Sequence, residues 1–328
     1  MRHRIRMKTL LSIRNSVESF YRKHSMLIGY FLRLIFTFGS LLILTEITGY
    51  NSFLSQTWFI ALISVAGAFM PMRAVIIMQL LYITAQIGTM SIGIGAVILI
   101  ILLILYMLYF RLNGNYAFAL VLMAVLAMIR LPLLVPLVLA LVAPVNTVIA
   151  AVAGNIVYYL IRYVSVNEAV FKGMEGGETL KAANMIRGFF SSYEFLYSTA
   201  VIVIVFFIVY YLKKANINNA MNMAGAVGAG AYVILTILAQ LIFSLVTSQR
   251  LIWTVVGALI SLLLALLTAN IILPLDFKRT ELAEFEDEEY HYFVKAVPKA
   301  VISRERVYVK RINRRREAAP AENKNEES

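Results

Sequence analysis

Charge is nearly absent from the middle of this chain and crowded at its ends. Between Gly29 and Leu275 there are 11 Lys/Arg and 5 Asp/Glu, whereas the first 25 residues carry 7 Lys/Arg and the segment after Leu275 carries 12, with 12 acids. Crossing a hydrocarbon core of about 30 Å takes roughly 20 consecutive apolar residues in a helix, and the middle supplies several such runs. Barrel strands would alternate apolar and polar residues; Ala96–Phe110 and Ala200–Leu212 do not alternate. The expected fold class is therefore all-α: a polytopic transmembrane helix bundle of roughly eight to ten spans. Short broken or re-entrant helices and a small cytoplasmic tail with a β-hairpin complete the expectation.

The hydrophobic share of 61% and mean hydropathy of +0.79 lie outside the range of soluble domains. The net charge of +12 raises the question of nucleic acid. Because the basic residues mostly flank spans, topology and anionic lipid headgroups explain them, and no nucleic-acid partner is expected. The chain has no cysteine, which excludes disulfides, iron–sulfur ligation, thiolate zinc sites and cysteine nucleophiles. No small-residue cleavage pattern follows the first apolar run, so that run reads as a retained span.

Five segments follow from composition. Residues 1–26 form a basic cytoplasmic interfacial segment, with Leu10, Ile13, Val17 and Phe20 at helical spacing and Arg6, Arg14 and Arg22 available to headgroups. Residues 27–164 are an N-terminal transmembrane bundle, 165–193 a polar amphipathic connection, 194–274 three further spans, and 275–328 a cytoplasmic tail. Within the first bundle, apolar stretches break at Pro71-Met72-Arg73, near Gly88–Ser91, at Arg111–Asn115, at Arg130-Leu131-Pro132 and at Pro144–Thr147. The breaks leave roughly six pieces, several too short to cross upright, or about four longer kinked spans if pieces merge. Lys/Arg placement sets both termini and Lys213-Lys214 in the cytoplasm and residues 165–193 outside. Ten spans is the preferred count and eight the alternative; either leaves Arg162, Lys172, Lys181, Arg187 and Arg250 on the wrong side of the positive-inside rule.

Two stretches, 54–111 and 115–163, echo each other. Phe69-Met70-Pro71-Met72-Arg73 is matched by Met128-Ile129-Arg130-Leu131-Pro132, each followed by an apolar and then a small-residue stretch. Inverted repeats with Pro-interrupted short segments point to the midplane site of a secondary transporter. On that reading Arg73 and Arg130 contact a substrate, and Asn146 and Asn155 line a polar path. Against it stand snorkelling for the arginines and helix-to-helix hydrogen bonding for the asparagines. Gln79, Gln86 and Gln240 share the second explanation, and the small residues of Ala224–Ala231 read as a close helix contact.

No phosphate loop, metalloprotease helix, nucleophile elbow or pair of membrane aspartates is present, and all three histidines are terminal. The expectation is a non-enzyme with no catalytic residue, cofactor or metal. In the tail, Glu284–Glu289 reads as a solvated acidic linker, while Tyr290–Val297 and Val301–Ile312 read as the strands of a hairpin. Tyr290 and Tyr292, with Arg314, Arg315 and Arg316, are the candidate contacts for a protein partner or lipid.

The stretch from Phe277-Lys278-Arg279-Thr280 through Glu286-Asp287-Glu288-Glu289-Tyr290-His291-Tyr292-Phe293-Val294-Lys295-Ala296-Val297-Pro298-Lys299 resembles a family of uncharacterised multi-pass membrane proteins from Gram-positive anaerobes. Ser16–His24 is similar to that family too. Its members sometimes carry an automatic label of ABC transporter permease, and no functional residues transfer from it. The resemblance implies a bacterial cytoplasmic membrane. Together these readings favour a permease-like protein moving a small solute or ion; the alternative is a membrane scaffold recruiting a partner through its tail.

Overall fold

The computed structural model describes residues 24–113, 116, 118–215, 219–272, 281–286 and 291–296. Among these, six helices are long and apolar enough to cross a membrane, so the chain is a multi-pass helical membrane protein. The interfacial helix expected before Ser25, Tyr290 and Arg314–Arg316 lie outside the described residues.

Helix α1 (Ser25–Thr48) is followed by a short α2 (Thr57–Phe69) that runs back along it. Pro71, which cannot donate a backbone hydrogen bond, separates α2 from α3 (Met72–Met90). The next break holds a single residue, Ser91, before α4 (Ile92–Asn113) turns back along α3. Polar side chains tie α3 to α1 and to the loop after it. Gln79 Nε2 donates to Ser40 Oγ at 2.6 Å, Tyr82 OH meets Thr45 Oγ1 at 2.7 Å, and Gln86 Oε1 accepts the Asn51 amide at 3.0 Å. Inside a membrane each such bond is worth roughly 0.6–2 kcal/mol. Gln79 is thus a helix-to-helix tie, whereas Gln86 ties its helix to the loop after α1.

Helices α5 (Phe118–Met128) and α6 (Leu134–Val142) are 11 and 9 residues long. At 1.5 Å per residue each reaches only about half of a 30 Å core. They form a re-entrant hairpin: α5 packs along α7 (Val148–Val166), and α6 lies among α10 (Tyr193–Leu212), α11 (Ala220–Ile242) and α12 (Ser248–Ile272). The preferred count of ten crossings is corrected on this point, because two of the six pieces are half-depth arms. Lys213, just beyond α10, donates to the carbonyls of Leu141 and Ala143 at 3.3 Å each. A cation on those carbonyls caps the returning arm where its last acceptors would otherwise go unpaired.

The connection after α7 holds α8 (Glu168–Gly173) and the amphipathic α9 (Glu178–Phe190). Met185 and Phe189 are buried, while Leu180, Ile186 and Phe190 are exposed, so the expected apolar face is split between core and surroundings. Glu178 fastens α9 to the start of α4 by accepting from Ser91 Oγ at 2.5 Å and from the Gly93 amide at 2.9 Å.

In α11 the small residues do what their size allows. A Cβ on Gly228 would lie 2.1 Å from Val209 Cγ2 of α10, and one on Gly225 would lie 2.9 Å from Leu266 of α12. The start of α1 and the end of α12 lie at one end of the bundle. The end of α1, the end of α7 and the starts of α10 and α12 gather at the other, the far end.

In the tail, β1 (Glu281–Glu286) pairs antiparallel with β2 (His291–Ala296), placing Phe285 opposite Tyr292 and Ala283 opposite Val294. The second strand agrees with the sequence reading; its partner does not. Residues 284–286 of the segment read as an acidic linker belong to a strand that begins at Glu281. Val301–Ile312, the partner expected from sequence, lies outside the described residues.

Two tests follow from this packing. Gly228→Leu forces a side chain into the contact with Val209, and should lower stability by roughly 1–3 kcal/mol, read as a fall in Tm of the purified chain. The Ser91 hydroxyl first, then the Gly93 amide and Lys181, hold the Glu178 carboxyl down at about 2 from an ordinary 4.5. Its folded pKa is depressed, so this tie is fully present above pH 4.5 and is lost as pH falls through about 2. The protection of the Gly93 amide against hydrogen exchange, relative to a free peptide at the same pH, should fall over that window in the native chain and be low at all pH values in Glu178→Ala.

Candidate functional site

The tip of the α5–α6 hairpin is built by an unusual residue choice. The amide of Leu131 donates to the carbonyl of Leu126 at 2.8 Å and that of Arg130 to Ala127 at 3.1 Å, the paired bonds that close a helix end with a left-handed residue. Glycine normally occupies that left-handed place, yet here it is Arg130, at φ 66°. A residue with a Cβ pays roughly 1–2 kcal/mol for this conformation. Pro132 then bars any continuation of α5. The tip is seated against α12 at Gly257, where an added Cβ would come 2.4 Å from the Arg130 carbonyl oxygen. Only a residue without a side chain permits that approach.

Above the tip lies a cavity of about 440 Å³ between α7, α10, α11 and α12. Arg130 sits at its floor, with the guanidinium 5.0 Å from the centroid of the Trp253 ring. Such a cation over an indole face is stabilised by about 0.5–2 kcal/mol. Toward the far end, the Glu194 carboxylate bridges two arginines from different helices. Arg250 Nη1 meets Oε1 at 2.6 Å and Arg162 Nη2 lies 3.6 Å from Oε2. Arg162 also donates to Tyr158 OH at 2.9 Å. Among the lining residues three guanidiniums thus face one carboxylate.

The remaining wall is aromatic and amide-bearing. Tyr158, Tyr159, Tyr197 and Tyr232 contribute rings and phenols, and Thr236, Ser198 and Thr254 contribute hydroxyls. Asn155 is fully buried and donates from Nδ2 to Thr199 Oγ1 at 3.0 Å, while Ser198 Oγ donates to its Oδ1 at 3.4 Å. It therefore lines the cavity and ties α7 to α10 at once. Gln240, expected to bond a neighbouring helix, has a buried Oε1 with no hydrogen-bond partner and belongs to the same wall.

Two of the four sequence-derived path residues, Arg130 and Asn155, come together here. Arg73 does not join them: it is exposed at the start of α3, at the terminal end of the bundle. Asn146 is exposed in a 3-10 turn (Val145–Thr147) between α6 and α7, also away from the cavity. Tyr292 lies on β2, in the tail. Arg162, Glu194, Arg250, Trp253 and Gly257 were not singled out from the sequence as a site. One coarse signal was available: Arg162 and Arg250 are among the five basic residues that violate the positive-inside rule, although Lys172, Lys181 and Arg187 violate it equally and lie outside this cavity.

A second hollow of about 630 Å³ opens at the far end between the end of α1, the start of α2 and α8. Its charged residues are partly spent on each other, since Lys172 Nζ lies 2.5 Å from Glu168 Oε1. The arginine cavity is the better candidate site because it is more diverse in donors and sets three arginines against one carboxylate. No family model matches the chain, and neither a curated protein nor a solved structure is detectably similar to it.

The strained tip makes a sharp test of whether Arg130 serves the fold. Arg130→Gly relieves the left-handed strain but loses the contact with Trp253, two effects of similar size, and should unfold near the native temperature. Arg130→Val, β-branched in the same conformation, should be less stable than the glycine variant by about 1–2 kcal/mol. Thermal unfolding of the two purified variants measures the difference.

Proposed function

We propose that this chain is a permease-like protein, and that a small solute enters the cavity above the re-entrant hairpin on its way across the membrane. The observation that carries this reading is the hairpin itself. Non-helical backbone at membrane depth is tolerated only where protein covers it or a cavity adjoins it, and here it ends beneath a polar cavity. Two half-helices meeting at a substrate-sized space are a recurring device of transporters.

The orientation and the membrane are part of the proposal. With Lys213 and Lys214 beside the terminal end of the bundle, that end is cytoplasmic, as are both termini, and the cavity faces outward. The resemblance noted from sequence makes the membrane a bacterial cytoplasmic one. Lipid contacts the exposed apolar faces of the spans, and anionic headgroups meet the basic ends. One observation favours a scaffold instead: a two-stranded sheet such as β1–β2 is marginal by itself and is stabilised by a partner surface.

The native chain has no cysteine, so single cysteines need no prepared background. Ser198→Cys and Thr254→Cys, which line the cavity, should react with a membrane-impermeant maleimide in intact cells. Met123→Cys, buried between α5 and α7, should not; Lys181→Cys and Lys214→Cys report the outer and inner sides. Protection of both cavity positions from either side, with the sidedness reporters reacting normally, sinks the solute path and leaves the scaffold.

A further inference from the structure

We infer that the ligand of this cavity is a small organic anion, one bearing a carboxylate or phosphate group on an apolar body. The inference rests on the reading of the cavity as a solute site and names its substrate class. Three arginines line the cavity, Arg162 and Arg250 near its far end and Arg130 on the hairpin tip, and a single carboxylate offsets them only in part. Glu194 is fully engaged, with one oxygen on each of Arg162 and Arg250. Among the described residues the Arg130 guanidinium faces the Trp253 ring rather than a carboxylate.

These groups line one cavity. Trp253 lies about one helical turn, roughly 5 Å, below Arg250 on α12, so the guanidinium of Arg130 reaches up toward the bridged pair. Planar guanidiniums suit carboxylate or phosphate oxygens because they offer parallel N–H donors. Glu194 already occupies Arg162 and Arg250 with the same chemistry, so it acts as a resident stand-in that an anion displaces or joins. The tyrosine rings accommodate the apolar body, and a volume of about 440 Å³ accepts a molecule of metabolite size. Arg130 also holds a place that glycine would fill with less strain, which directs attention to its side chain rather than its backbone.

The chain contains two tryptophans, Trp58 and Trp253. In a Trp58→Phe background, emission therefore reports Trp253 and the cation above it. The full chain in phosphatidylcholine nanodiscs would be titrated with benzoate and with phenyl phosphate at constant ionic strength, and with benzylamine as the cation of similar shape. The expected result is a saturable change with the anions and none with benzylamine. Arg130→Gly and Arg250→Gln should each weaken it by roughly tenfold or more, and Glu194→Gln should strengthen it. The glycine variant keeps its fold by the argument above, so its loss of response is not a loss of structure. A response to benzylamine equal to that of benzoate overturns the inference, as does silence toward both anions. A response only in nanodiscs containing phosphatidylglycerol also overturns it, assigning the arginines to a lipid headgroup. Silence toward the anions with Ser198→Cys and Thr254→Cys still labelled removes the anion and spares the path; protection of both cysteines removes the path itself.

Discussion

Backbone buried at the depth of lipid tails has no water to bond, so every interruption of a helix must close its own hydrogen bonds. The chain meets this requirement differently at each break. Pro71 and Pro132 remove a donor that would otherwise need a partner. Arg130 turns left-handed so that the amides of Arg130 and Leu131 can return to the end of α5. Lys213 covers the last carbonyls of α6 from a helix more than a bundle's depth away in sequence. Once these ends are closed, a half-depth hairpin is stable inside the bundle, and the space above its tip becomes a cavity instead of a flaw.

The packing around the hairpin follows from residue size. Gly154 admits Met123 and the Leu120 carbonyl of α5, Gly228 admits Leu137 of α6, and Gly257 admits the carbonyl of Arg130, so both arms and the tip are held at close range. The electrostatics follow from scarcity. In a region where acids are few, one carboxylate from α10 is shared by arginines of α7 and α12. That bridge binds three helices at the far end, while the small-residue contacts bind them lower down.

Much of the fold could be read from the chain because membrane burial writes itself in composition. The five interruptions of the first bundle fall where prolines, glycines and arginines punctuate the apolar runs, and the small residues of α11 sit in close contacts as their size suggests. What periodicity could not give was depth. An 11-residue helix followed by a 9-residue helix looks the same in sequence whether it crosses twice or enters and returns. The site was half legible for a related reason. Arg130 and Asn155 stood out as polar residues beside breaks, but nothing in the sequence marked Glu194, because the two arginines that converge on it lie far away along the chain. Arg73 stood out by the same local signal as Arg130 and lies at the other end of the bundle, since a proline-arginine pair fits an interface as well as an interior. The hairpin of the tail shows the converse error: charge density hid a strand, Glu281–Glu286, that pairs with β2.

The position of α6 among α10, α11 and α12 has a consequence for biosynthesis. The arms of the hairpin emerge well before the three helices that enclose the second of them, and chain growth proceeds at roughly 5–20 residues per second. For an interval on the order of ten seconds, the strained tip and its arginine have no Gly257 to rest against and no Trp253 to cover the charge. The hairpin must therefore wait at the membrane surface or in the insertion machinery, and assembly of the bundle ends with a segment from its middle being drawn inward.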